Sequence, residues 1–413
     1  MPQQTIPKFP TRPVGRDPNV LRWLGAYTTS VTGDVVFYMS LSWAVVHSAG
    51  PAALGAILAV GAVPRAVLML AGGVLADRVG PRRLVLFSDA ARCLAILVGA
   101  GWFLITETLW PLLAMSLVFG LADAVFMPAV GALPPRMTDT EQLTRVQALR
   151  SLSVRISNAV GPLLGAVVLA VLGPPGAFGL VGLLFIVSIP LIASLRLRPL
   201  VSSTVRSGTP VWRDFIDGLT YLRGARPLFR LVLVIGLGEL VFSGPLATGL
   251  VLLTDERDWG PAVLGMAMAA FSAGGIASGL VLTTIKRTGR PGLTLTVSLA
   301  ASAVLVMALT VVTTPAMAIA VLAVLGGTTA MSMVIGTAEL QARTEPRYLG
   351  RITSVTTLFT IGLSPLLLPA AGLITAAWGT GVFFTACAVV CLTAAVIARR
   401  VTSDTVLTTK ESS

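Results

Sequence analysis

Apolar runs long enough to cross a hydrocarbon core, about 20 residues each, recur almost without pause from residue 22 to residue 398. They fall at 22–46, 52–76, 84–105, 109–134, 145–172, 177–195, 228–253, 261–285, 292–313, 316–339, 352–376 and 379–398. Such a pattern predicts an all-α membrane protein with twelve transmembrane helices. Only 12% of the 413 residues are charged and 55% are hydrophobic. A soluble domain carries about a quarter of its residues as charged side chains, so this chain cannot coat a water-exposed surface of its size. A soluble enzyme and a disordered chain are both excluded.

The connections alternate in character. Ser48–Pro51, Gly173–Gly176, Thr313–Pro315 and Trp378-Gly379 are short and uncharged, whereas the intervening ones are basic. With both termini cytosolic, 26 of the 30 Lys and Arg lie in tails and cytosolic loops. Three of the others, Arg65, Arg92 and Arg155, lie within helices; Arg257 is external, among Asp255, Glu256 and Asp258. This asymmetry fixes orientation and gives the net charge of +12 a topological meaning. A nucleic-acid partner is not expected, because the basic excess is scattered over separate short loops. Residues 1–19 read as a cytosolic tail without a signal-peptide pattern, and 401–413 as a second tail.

The longest loop, 196–227, divides the chain near its middle. Within it, Phe215, Ile216, Leu219 and Leu222 follow a helical period, predicting an amphipathic helix over Trp212–Arg223 on the inner membrane surface. The flanking halves repeat. Gly33-Asp34 and Phe37 match Gly238-Glu239 and Phe242 at an offset of 205; Arg78 and Gly80 match Arg287 and Gly289 at 209; Arg145-Val matches Arg351-Ile at 206. Two pseudo-symmetric six-helix bundles, 20–195 and 228–400, are therefore expected. Such duplication suits a transporter, because alternating access needs two bodies that rock about a central site.

The loop after the second run reads Gly72-Gly73-Val-Leu75-Ala76-Asp77-Arg78-Val-Gly80-Pro81-Arg82-Arg83. It resembles the loop motif of the major facilitator superfamily, Gly-x-Leu-Ala-Asp-Arg-x-Gly-Arg-Arg, departing from it at Pro81. The resemblance extends over residues 20 to 400 and implies the twelve-helix major facilitator fold. It also implies a cytosolic gate at Gly73, Asp77, Arg78, Gly80, Arg82 and Arg83, in which Asp77 holds guanidinium groups and faces the N-terminus of helix 11. The fifth run carries small residues at Ala148, Ser157, Gly161-Pro162 and Gly165-Ala166, a partial match to the family's antiporter motif. Close helix packing explains the same residues. The family's Arg in the fourth helix is replaced by Leu117. Leu133-Pro134-Pro135, Glu141-Gln-Leu143 and Gly33-Asp34 resemble the branch containing macrolide-efflux and siderophore-export proteins.

A charge at mid-membrane costs about 2.5–3.5 kcal/mol on insertion scales and calls for a partner or a purpose. At 1.5 Å per residue, Asp34 lies roughly 18 Å past Arg22, Asp123 roughly 20 Å before Arg136, and Glu239 roughly 14 Å past Arg230. Arg65 is also near mid-depth. The resemblance implies that helices 1, 4, 7 and 10 line the central cavity, and these carry Asp34, Asp123, Glu239 and Glu339, the last near the cytosolic mouth. A carboxylate in a low-dielectric cavity holds a proton more readily than one in water, as a proton carrier must. Asp34 is thus expected to be the principal protonation site, with Arg65 as its alternating partner. The alternative is a structural Asp34–Arg65 pair. Glu239 is expected to bind protons or a substrate cation.

Asp89 and Arg92, three residues apart, are expected to pair with each other or with the motif loop, and Arg155 to snorkel or join that network. His47 is expected to be structural at the outer end of helix 1. Phe126, Met331, Met333 and Phe359 suit either an adaptable pocket or plain packing. Cys93, Cys387 and Cys391 read as small apolar residues, and no metal site or cofactor is expected. No phosphate-binding Gly-rich loop is present, so the proton gradient is the expected energy source. The sequence predicts a monomeric, non-enzymatic exporter of the bacterial cytoplasmic membrane, exchanging a small, moderately hydrophobic molecule for protons. A nutrient importer and an amphipathic-lipid transporter are the alternatives.

Overall fold

The computed structural model describes residues 16–106, 108–197, 220–222, 224–242, 244–284, 291–345 and 348–411. Within them the chain is helical, and nine helices are long and apolar enough to cross a membrane. Three long helices break at a glycine with positive φ: Pro18–Val79 at Gly50 (φ 79°), Thr140–Ala193 at Gly173 (φ 65°) and Leu349–Glu411 at Gly379 (φ 80°). Only glycine adopts this conformation without steric cost. Each break lies where the apolar pattern separates two runs. Tyr38 and Arg65, on either side of Gly50, both reach Asp123, so the two arms lie side by side and antiparallel.

Divided at these turns, the described helices follow the predicted runs in order, the seventh as two pieces, Arg226–Phe242 and Pro245–Glu256. We label them α1 (18–49), α2 (51–79), α3 (Pro81–Ile105), α4 (Leu109–Gly131), α5 (140–172) and α6 (174–193). The second set is α7 (226–256, interrupted before Pro245), α8 (Gly260–Thr284), α9 (Pro291–Val311), α10 (Pro315–Arg343), α11 (349–378) and α12 (380–411). The helix of α12 continues beyond its apolar run to Glu411, into the segment predicted as a tail. No Gly or Pro follows Arg400 to stop it. The predicted amphipathic helix lies outside the described residues except for Thr220–Leu222, where Leu222 is buried and Tyr221 stacks on Tyr348 at 4.0 Å.

The duplication extends to packing. In the N-terminal half, α2 and α4 touch backbone to backbone, because a Cβ on Gly120 would fall on the Gly61 carbonyl. In the C-terminal half, α8 and α10 do the same: Cβ atoms on Gly274 and Gly326 would fall on the Ala323 and Phe271 carbonyls. Small residues allow this approach, which dispersion and weak backbone contacts then stabilise.

The halves also meet at glycines. A Cβ on Gly55 of α2 would lie 2.6 Å from the Leu368 carbonyl of α11, and one on Gly265 of α8 would lie 2.5 Å from the Pro162 carbonyl of α5. Both contacts are toward the Lys/Arg-poor end of the bundle, where Gly50, Gly173 and Gly379 turn. At that end His47 Nε2 of α1 lies 3.5 Å from Asp255 Oδ1 of α7, a further link between the halves.

Candidate functional site: a buried charge cluster on a central cavity

Helix 5 presents two faces. Ser157, Gly161 and Gly165 turn toward α1: Ser157 Oγ accepts from Thr32 Oγ1 at 3.0 Å, and Cβ atoms on the glycines would touch Val35 and Val36. Arg155, Asn158 and Pro162, offset at i, i+3 and i+7, turn instead toward the space between the halves. That spacing defines one helix face. The small residues of the antiporter-like segment, Gly161, Pro162 and Gly165, are thus packing surfaces against α1 and α8 in this conformation.

Two cavities occupy the space between the halves. The larger, about 580 Å³, is lined by Asp34, Tyr38, Arg65, Asp123 and Asn158 from the N-terminal half and by Glu239, Phe242, Met268, Phe271 and Ser272 from the C-terminal half. The smaller, about 280 Å³, shares Asn158, Glu239, Phe242, Phe271 and Ser272 with it and adds Arg155 and Met333. The shared walls make them neighbouring chambers of one site of the size that small-molecule pockets have.

The N-terminal wall is backed by a network centred on Arg92, whose side chain is fully buried. Its Nη1 donates to Asp34 Oδ1 at 2.7 Å and to Asp123 Oδ1 at 3.1 Å. Its Nη2 donates to Asp89 Oδ1 at 3.0 Å and Ser88 Oγ at 3.1 Å. The guanidinium also sits 4.4 Å from the Phe126 ring centroid and 4.9 Å from that of Phe185, where the ring faces favour a cation. The second carboxylate oxygen of Asp89 accepts from Ser30 at 2.9 Å and Ser188 at 2.7 Å. Arg65 Nη1 and Tyr38 Oη each lie 3.3 Å from Asp123 Oδ2.

This overturns the expected Asp34–Arg65 pair. Both residues are near mid-depth, but Arg65 faces Asp123 on α4, and Asp34 is taken by Arg92 on α3. Depth places charges at one level without saying which helix faces meet. Asp89 and Arg92 do pair, as expected, and Arg92 additionally gathers carboxylates from α1 and α4. Three carboxylates share two guanidiniums, leaving one negative charge unbalanced when all are ionised. Asp34 and Asp123 are cavity-lining members of the cluster; Asp89 and Arg92 lie behind them.

Glu239, at the repeat position of Asp34, borders both chambers, and among the described residues it makes no ion pair or hydrogen bond. Arg155 does not join the cluster: it is exposed and lines the smaller chamber. Its position on the Asn158–Pro162 face was a legible signal that depth alone obscured. Glu339 pairs within α10 with Arg343 at 2.6 Å. Of the motif loop, Gly80 has φ 94° and leads into α3, and Arg82 donates to the Ala193 carbonyl. Arg83 is exposed; Gly73 and the side chains of Asp77 and Arg78 lie outside what is described. Phe126 serves the cluster and Met333 the smaller chamber. The three cysteines are buried, without disulfides.

A family model described as Major Facilitator Superfamily matches residues 23–369. Among curated proteins, the chain is similar to the Enterobactin exporter EntS of Shigella boydii serotype 18, with 27% identity over 320 residues, covering 75% of this chain and 73% of that protein. The protein of the same name from Escherichia coli O139:H28 matches to the same extent. Among solved structures, a variant of the nucleoside transporter NupG superposes with a TM-score of 0.72 at 12% identity, covering 93% of this chain and 99% of that one. A bacterial homologue of the iron transporter ferroportin, in an inward-facing state, gives 0.67 at 16% identity, covering 93% and 98%. These structural likenesses speak to the fold alone.

Proposed function

Since the chain belongs to the major facilitator superfamily, we propose that this multi-pass membrane transporter exports a small amphiphilic molecule, of the siderophore or secondary-metabolite kind, by proton antiport. The observation that carries the proposal is the surplus carboxylate at the cavity wall: Asp34 and Asp123 compete for Arg92 while facing the space between the halves. The named exporter among the relatives supports the direction. The lysine and arginine distribution supports a bacterial cytoplasmic membrane with both termini in the cytosol.

In that orientation the glycine contacts and the His47–Asp255 pair close the outer face, and the cavity is the inward-accessible site. A substrate enters beside Asp34 while Arg92 holds the ionised carboxylate. After the halves rock, a proton arriving from outside neutralises Asp34, and Arg92 retains Asp89 and Asp123 as partners. The neutral cluster no longer carries unbalanced charge, so the empty carrier returns to the inward-facing state and releases the proton to the cytosol. Glu239 offers a second acceptor for a proton or a substrate cation on the opposite wall. Motif residues Gly73, Asp77, Arg78, Gly80, Arg82 and Arg83 supply the cytosolic gate in this scheme, and the monomer contains every part.

The test uses inverted membrane vesicles with an acidic lumen and iron-free enterobactin or a fluorescent amphiphile as probe. Accumulation that an uncoupler abolishes, and that D34N lacks, is the expected result. Accumulation indifferent to the uncoupler overturns proton coupling, and uptake in the opposite sense by right-side-out vesicles identifies an importer instead.

A further inference from the structure

Arg155 lies ten residues past Arg145 and eighteen before the Gly173 turn, about 15 Å and 27 Å along the helix. A guanidinium at that depth within an apolar segment is costly unless something compensates it. Arg65 and Arg92 have carboxylates for this purpose. Arg155 has none: among the described residues it makes no ion pair, hydrogen bond or ring contact. It is exposed, and the space it borders is the smaller chamber. Around it are Asn158, Phe242, Phe271, Ser272 and Met333, a wall that offers amide and hydroxyl groups among apolar and aromatic surface. Glu239 borders the same chamber but does not come within ion-pair distance, and it too is without a partner.

We infer that Arg155 is the anion-recognising residue of the substrate site, and that the transported amphiphile carries a carboxylate or comparable oxyanion. The inference rests on the transport reading above and narrows its substrate class. A guanidinium presents two parallel N–H donors to an oxyanion, a geometry suited to carboxylates. The aromatic and methionine side chains accept the apolar body of the ligand, and the Asn158 side chain adds donors and an acceptor alongside. Glu239, which borders the same chamber, further favours ligands that also carry a cationic group.

The test is equilibrium binding to the purified full-length protein, read by fluorescence anisotropy, of a rhodamine with a free carboxylate and of the same dye as its methyl ester. Wild type is expected to bind the free acid about tenfold or more tightly than the ester, the range charged hydrogen bonds supply. R155Q should lose this preference while keeping its affinity for the ester, which also reports that it has folded. R155K, keeping charge but not the planar fork, should retain part of it. Equal or weaker binding of the acid to wild type, no binding of either dye, or a preference that survives R155Q would each overturn the inference. Direction and coupling are read separately, in vesicles: an acid preference without uncoupler-sensitive accumulation would leave Arg155 assigned and remove proton-driven export. The reverse result would keep export and remove the anion site.

Discussion

The two halves share a fold and differ in how they treat charge. At equivalent places in helices 1 and 7 stand Asp34 and Glu239. Asp34 belongs to a network of three carboxylates and two guanidiniums bridging α1, α2, α3 and α4, whereas Glu239, among the described residues, makes no ion pair or hydrogen bond at the cavity wall. The glycine contacts between α2 and α4 and between α8 and α10 show that the repeat is retained in packing. The glycine packing is thus alike in the two halves while their polar interiors differ. A network in which each carboxylate has a guanidinium can hold charge across several helices, and a lone carboxylate can only exchange it with a ligand, water or a proton. In the proposed transport scheme the N-terminal half stores charge and the C-terminal half meets it.

The largest effect should come from breaking the storage. Arg92→Leu leaves Asp34, Asp89 and Asp123 without their shared cation, and stranding buried charges typically costs about 3–5 kcal/mol. Thermal unfolding in detergent should show a large loss of folded protein. Glu239→Gln removes no partner from any other described group and should leave unfolding within about 0.5 kcal/mol of wild type. Equal stability losses for the two variants would dissolve the contrast. Next in size are the packing glycines. Gly120→Ala and Gly326→Ala each push a methyl into a facing carbonyl, and overpacking costs about 1–3 kcal/mol. Similar destabilisation in the two halves is expected in the same assay, because here the repeat is intact. A loss confined to one half would show that the framework has diverged as well.

These differences mark how far the sequence could be read. The helices and their turns were legible because lipid demands long apolar runs and because Gly50, Gly173 and Gly379 sit between them. Asp34, Asp123 and Glu239 were conspicuous because charge is rare inside the membrane. Their partners were not, since pairing depends on helix rotation. Arg92 reaches Asp34 only because α3 turns Ser88, Asp89 and Arg92 inward together. Arg155 reaches the chamber only because Asn158 and Pro162 share its face. Both groupings follow helical spacing, but spacing alone does not say which neighbour each face meets.

The transport contrast between Asp34 and Glu239 follows in order of stability effect. Asp34→Asn keeps a polar partner for Arg92 and should unfold within about 1 kcal/mol of wild type, yet abolish uncoupler-sensitive accumulation in inverted vesicles. Glu239→Gln should weaken accumulation without removing its dependence on the gradient. If gradient dependence disappears with Glu239 and survives with Asp34, the roles of the halves are exchanged.

The smallest effect concerns the ion pair that, among the described residues, links the halves at the Lys/Arg-poor end. His47 and Asp255 are 3.5 Å apart, with side chains 50% and 33% exposed. Exposed pairs contribute about 0–1 kcal/mol, so this link cannot hold the halves together against the buried glycine contacts at Gly55–Leu368 and Gly265–Pro162. A double-mutant cycle of His47→Ala and Asp255→Asn, read by thermal unfolding, should return a coupling energy below about 1 kcal/mol. Gly55→Ala, which drives a methyl against the α11 backbone, should instead disfavour the closed arrangement and increase labelling of a cysteine placed in the cavity from that end. A coupling well above 1 kcal/mol, with Gly55→Ala silent, would make the surface pair the latch and the glycine contact incidental.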